Sequence, residues 1–357
     1  MRRLCVCAAV IAMLITIGWA QQATTPPPYK VIKTAKVGGA GGFDYVYADV
    51  AGRRLYIPRT GTTPRVTVFN LDTLESVGEI PTAGARGVAV DPVSNHGFCS
   101  SKPVVMWDTK TLATIKTIDV QGNPDGILFD PFNERVYVFS HSAPNATVID
   151  GKDGSVVGTI DLGGAPEQGV TDGKGHVYVD IEDKDNVAVV DAKTLTVTAH
   201  YDLGGKGGGP AGLAFDVKNH ILFAACHAPA TMVVLDANDG KIIDALPIGT
   251  GVDGAVFNPA TMEAFSSQGD GTLTVVKENS PTSFAVLQNV QTQRSAKTLT
   301  LDAKTNHILL IAAEYTPPPA QPKPQQQAQP PAKPPTGQRG GRGQMVPDSF
   351  AILVVGK

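Results

Sequence analysis

One pattern recurs seven times along this chain: a short apolar strand ending in an acidic or amide residue, a turn, then a second apolar strand carrying a large side chain. Residues 123–140, NPDGILFDPFNERVYVFS, are a clear copy. The turn-opening residues are Asp49, Asp91, Asp130, Asp172, Asp216, Asn258 and Asp302, separated by 42, 39, 42, 44, 42 and 44 positions. At a fixed offset the second strands carry Tyr56, Phe98, Tyr137, Tyr178, Phe223, Phe265 and Leu309. A period of about 40–45 residues built from short strands is the signature of a propeller blade.

The strand types agree. First strands such as GVAVD, GILFD, GLAFD and GAVFN are apolar on both faces, as expected of a strand packed between two neighbouring sheets. Asp-Pro, Asn-Pro and Asp-Gly pairs punctuate the strands, where the short side chains bond their own backbone. Seven third strands can be found but only six fourth strands after them. The missing one is supplied by residues 29–37, YKVIKTAKV, which resemble the fourth strands TIKTIDV and SVVGTIDL. The expectation is an all-β, seven-bladed β-propeller with four antiparallel strands per blade. Its last blade is closed by the N-terminal strand 29–37 against the C-terminal strand 349–356, which removes an open sheet edge. No helix is expected. Without residues 1–28 and 316–348, 296 residues remain, about 42 per blade, so 29–357 form a single domain.

Residues 1–20 combine Arg2 and Arg3, an apolar run and small residues before position 21. This reads as a cleaved secretory signal peptide, too short in its apolar run for a spanning helix of about 20 residues. Residues 21–28, QQATTPPP, form a disordered leader. A periplasmic or secreted location follows, with no transmembrane segment after cleavage. Loss of the two arginines takes the formal net charge from −3 to −5, which argues against a general nucleic-acid binder. Cys5 and Cys7 leave with the signal peptide. Cys99 and Cys226, on second strands far apart around a ring, should be buried free thiols, since a disulfide needs Cα atoms within about 7 Å. A monomer is expected.

The pattern of first strand, Asp/Asn-Pro turn, aromatic second strand and V-x-V-[ILW]-D third strand resembles the YVTN-type (YncE-like) bacterial propeller repeat. The resemblance covers roughly 29–315 and 349–357. The namesake tetrapeptide reads Tyr56-Ile57-Pro58-Arg59, Tyr137-Val138-Phe139-Ser140 and Tyr178-Val179-Asp180-Ile181 in three of the copies. The chain is also similar to lactonase-type seven-bladed propellers. The first resemblance implies a binding or cell-surface module and the second a hydrolase; propellers host both kinds of activity.

Candidate site residues come from positions of the repeat that do not repeat. Five residues before each turn residue, at the channel mouth on the face called top, stand Asp44, Arg86, Asp125, Glu167, Ala211, Asp253 and Lys297. Four residues after the second-strand marker come Thr60, Lys102, His141, Glu182, His227 and Gly269, with Glu314 near the seventh. Convergent polar groups around a concave opening are a ligand-binding signature. The bland alternative is mutual ion pairing around a wet channel. No catalytic residue is singled out, because no nucleophile elbow is present.

No cofactor is predicted. A divalent metal held by His141 and His227 with acids is a weaker alternative, as is calcium in the acidic run 180–186, DIEDKDN. The other turn histidines, His96, His176, His220 and His307, read as structural. The runs GGAGG and GGKGGG open no helix and match no phosphate loop. The Pro/Gln/Gly-rich segment 316–348 should be a disordered insertion leaving and re-entering on the top face. Two function classes follow: an extracytoplasmic module binding a small polar ligand or a protein on its top face, or a lactonase-type hydrolase at the channel mouth. Single-stranded nucleic-acid binding through the basic insertion is weaker.

Overall fold

The computed structural model describes residues 27–143, 145–316 and 343–357. These form seven four-stranded antiparallel sheets. In each, the innermost strand pairs with the second, the second with the third and the third with the outer strand. Innermost strands run Tyr47–Asp49, Val88–Asp91, Pro124–Asp130, Pro166–Thr171, Pro210–Asp216, Val252–Asn258 and Leu299–Asp302, which define blades 1 to 7. The only helix-like element among the described residues is a 3-10 turn, Glu182–Lys184. The expected signal peptide and nearly all of the leader lie outside the described residues. Among the described residues no helix is long and apolar enough to cross a membrane.

Burial follows position in the blade. The innermost strand of blade 5, Pro210–Asp216, and its second strand, Ile221–Cys226, are buried throughout. The outer strand of blade 4, Thr196–Asp202, alternates between half-buried and exposed. The second-strand side chains fill the seams between blades: Tyr178 meets Phe215 at 5.2 Å and Tyr56 meets Trp107 at 5.6 Å between ring centroids. Cys99 and Cys226 are both buried and free.

Ring closure has the expected form. Lys30–Lys36 pairs antiparallel with Ala351–Gly356, from Lys30 opposite Gly356 to Lys36 opposite Ala351. The Gln288 side chain clips this strand to blade 6, accepting from the Tyr29 N–H and donating to the Tyr29 carbonyl. Across the other seam, the Arg53 guanidinium of blade 1 donates to both oxygens of Asp302 in blade 7.

The loop GGAGG is a structural device. Arg59, 1% exposed, donates to the carbonyls of Gly38, Gly39, Ala40 and Gly41, and its guanidinium lies 3.5 Å over the Phe350 ring. The glycines allow the close approach: a Cβ on Gly41 would stand 2.1 Å from the Thr60 carbonyl oxygen.

The bottom-face turns repeat their chemistry seven times. Asp49, Asp91, Asp130, Asp172, Asp216, Asn258 and Asp302 each accept a hydrogen bond from a backbone N–H two or three residues on. Such a bond fixes the hairpin turn. The bases of the expected insertion are ordered: Thr316 and Gln344 share a backbone bond, and the Val346 N–H donates to the Glu314 carbonyl. The rest of the expected insertion, 317–342, lies outside the described residues.

Candidate functional site

The mouth residues are aimed by irregular pairing. In blades 3, 4, 5 and 6 the register between innermost and second strands breaks at the mouth position, between Pro124/Ile127, Pro166/Gly169, Pro210/Gly212 and Val252/Ala255. A bulge there turns a side chain out of the sheet, so Asp125, Glu167 and Asp253 leave the blade and face the opening.

Two kinds of contact result. On the side of blades 1, 2, 6 and 7, acids meet bases. Arg86 Nη1 donates to Asp44 Oδ2 at 2.7 Å, and Lys297 contacts Asp253 and lies 3.8 Å from Asp44 Oδ1. On the side of blades 3 and 4, one imidazole stands between two carboxylates. His141 Nε2 is 3.4 Å from Asp125 Oδ2 and 3.2 Å from Glu167 Oε1.

The electrostatics follow from these contacts. Burial, reinforced by the charges of Asp44 and Glu167, pushes the Asp125 carboxyl up to about 6. Burial acts in the same direction on Glu167, but His141 and Tyr45 outweigh it and hold that carboxyl below its ordinary value. Contact with Glu167, against the opposing effect of burial, lifts His141 to about 9.

Three side chains outside the mouth ring lie beside it. The Tyr45 phenol, from blade 1, crosses the axis and donates to Glu167 Oε2 of blade 4 at 3.0 Å. The Gln168 amide reaches from blade 4 to blades 5 and 6, accepting from the N–H groups of Leu213 and Ala255 and donating to the Ala255 carbonyl. Both side chains line a cavity of about 230 Å³ on the axis, together with Glu167, Asp253 and the innermost strands. The third is Asp180, fully buried with neither carboxyl oxygen hydrogen-bonded. Burial and the nearby charge of Glu167 raise its pKa far above the usual range.

A sequence signal existed for the first two. The residue after each mouth position is Tyr45, Gly87, Gly126, Gln168, Gly212, Gly254 and Thr298. Glycine is required where innermost strands crowd: a Cβ on Gly126 would sit 2.4 Å from the Glu167 carbonyl oxygen, and one on Gly212 would sit 2.7 Å from Gly254. Tyr45, Gln168 and Thr298 depart from that rule: the Thr298 hydroxyl donates to the Asp44 carbonyl, whereas Tyr45 and Gln168 reach across to other blades.

Other expected residues fall elsewhere. The Lys102 ammonium donates to the Gly122 carbonyl on an exposed loop. His227 sits 3.9 Å from Glu182; the three-residue cluster that His141 joins is with Asp125 and Glu167 and does not include His227. The two imidazoles project from blades 3 and 5, with Glu182 of blade 4 beside His227. The acids of the run 180–186 are engaged separately. Asp183 accepts the Ala165 N–H and Asp185 the Gly209 N–H, while Asp180 points into the protein interior. Gly269 and Glu314 line a second top-face hollow of about 860 Å³ with Arg294 and Tyr315, which borders the mouth at Lys297.

Compared with models of known protein families the chain matches none, and no curated protein matches it.

Proposed function

We propose that this protein is an extracytoplasmic binding module whose top-face opening takes a small polar ligand. The observation that carries the reading is the convergence of bulge-aimed charged side chains on an axial cavity of about 230 Å³, which Tyr45 and Gln168 also line. A cup with convergent polar groups is what small ligands require. The compartment rests on the leader sequence of residues 1–20.

The test is a thermal-shift screen of small amines, amino acids and sugar lactones on wild type and on the Asp125→Asn/Asp253→Asn double variant. A ligand that raises the wild-type midpoint and not that of the variant supports the cup. A shift of equal size in both would place binding elsewhere.

Hydrolysis of the lactonase type is the second reading, favoured by His141 between two carboxylates in a partly buried site. An imidazole so placed can exchange a proton with a ligand. Turnover of a lactone from the same screen, lost in His141→Gln, separates it from simple binding.

A further inference from the structure

The cup reading leaves the ligand's class open, and the side chains of blades 3 and 4 narrow it. We infer that Asp125, His141 and Glu167 form a site for one divalent transition-metal ion of the zinc or manganese type. The inference rests on the cup being a binding site.

The spacing fits. Nitrogen and oxygen donors bind such ions at about 2.0–2.2 Å, so donors sharing one ion lie roughly 3.0–3.6 Å from one another. His141 Nε2 lies 3.4 Å from Asp125 Oδ2 and 3.2 Å from Glu167 Oε1, and one ligand atom from each of the three side chains falls within 4.8 Å of the others.

An orphaned carboxyl oxygen supplies a separate observation. Asp125 Oδ1 is buried without a hydrogen-bond partner. Buried polar groups are normally satisfied, so a carboxylate oxygen left over at this cluster calls for a positive partner. On the opposite side Arg86 and Lys297 fill that role for Asp44 and Asp253. Here His141 stands against Asp125 and Glu167, with Glu182 near enough for its charge to act on the ring.

The donor set selects the ion. Calcium and magnesium take oxygen ligands, whereas imidazole with carboxylates suits zinc, manganese and iron. Tyr45 donates to Glu167 Oε2 and so orients the carboxylate from outside the donor set, as partners of ligating groups do. The 29% exposure of the His141 side chain leaves room for water or a ligand on the mouth side.

The experiment uses purified protein stripped with chelator, then titrated with Zn²⁺, Mn²⁺ and Ca²⁺ by calorimetry, with bound metal counted by elemental analysis. The expected result is one equivalent of Zn²⁺ or Mn²⁺ per chain, much weaker Ca²⁺ binding, and a higher unfolding midpoint with the ion. His141→Gln and Asp125→Asn should each weaken binding by about a hundredfold or more. His176→Gln, which removes the bottom-face His–Asp pair (2.9 Å, Nδ1 to Asp172 Oδ2), should leave uptake unchanged. Metal-free midpoints check that each variant folds, and either mouth variant alone decides the question. Less than a tenth of an equivalent in wild type, or wild-type affinity in a folded mouth variant, overturns the inference. If metal fails while an organic ligand still shifts wild type and not the Asp125→Asn/Asp253→Asn variant, the metal site falls and the cup stands. If neither binds, both fall.

Discussion

The two faces of this propeller use the same residue type for opposite ends. On the bottom face, seven Asp or Asn side chains occupy equivalent turns and accept backbone N–H groups two or three residues on. On the top face the equivalent positions read Asp, Arg, Asp, Glu, Ala, Asp, Lys, and the acids face one another, two bases and one histidine. A polar residue that recurs in every blade is serving the blade. A polar residue that changes from blade to blade serves something that exists once per ring, and the axis is such a place.

If that division is right, removing a bottom-face acid should destabilise and removing a top-face acid should not. The largest effect should come from Asp302→Ala. It strips the blade 7 turn and leaves Arg53 without its partner across the seam where the ring closes. Arg53 keeps Asp72 as a partner, so loss of the charged hydrogen bonds to Asp302 costs about 2 kcal/mol, visible as a lower urea midpoint. No change there would mean that the seam is held by its strands alone. Asp91→Ala is the milder bottom-face case. It frees the Val93 N–H and the Ser94 hydroxyl and touches no ion pair, so a loss of about 1 kcal/mol is expected. In the presence of chelator, Asp125→Asn should leave the midpoint equal or slightly higher, because it relieves repulsion from Asp44 and Glu167. A clear loss there would show that the top acids are scaffold too.

The faces should also respond to pH with opposite sign. Burial raises Asp302, but Arg53 and the turn donors outweigh it and leave the carboxyl below its ordinary value. Its contribution is therefore present above the unfolded value of about 3.9 and lost as pH falls below that. Asp125 is raised to about 6, so the folded state binds its proton more tightly than the unfolded chain does. Its contribution is greatest in acid and is lost as pH rises from about 4 to 6. In chelator, the stability advantage of Asp125→Asn over wild type should grow across that window. The deficit of Asp302→Ala should instead shrink as pH drops below 4. Denaturant curves at four or five pH values would show whether the two trends part.

The same division explains what could be read from the sequence. Blades, turns and closure were legible because each rests on a property stated many times: strand length, the Asp-Pro turn, the second-strand aromatic. The mouth ring was legible as an exception to that repetition, and the structure joins Asp44, Arg86, Asp253 and Lys297 into one network and Asp125 and Glu167 into another through His141. Which acid meets which base was not legible, because it depends on bulges that turn single residues by local strand register. Tyr45 and Gln168 were hidden by standing one position beyond the ring, where the informative fact is that glycine is missing. Asp180 sits inside the tetrapeptide used to recognise the repeat, and nothing in a linear reading marks it as a buried carboxyl beside Glu167.

The central claim is that the mouth between blades 3 and 4 is a built site in which one imidazole is shared by two partly buried carboxylates. The most direct measurement is a pH titration of the His141 ring C–H signals by NMR in chelator-treated protein, assigned with His141→Gln. The account predicts a midpoint of about 9, falling substantially in Glu167→Gln. A midpoint near the ordinary histidine value of about 6.5, unmoved by Glu167→Gln, would mean that the carboxylates do not meet at His141 and would contradict the account.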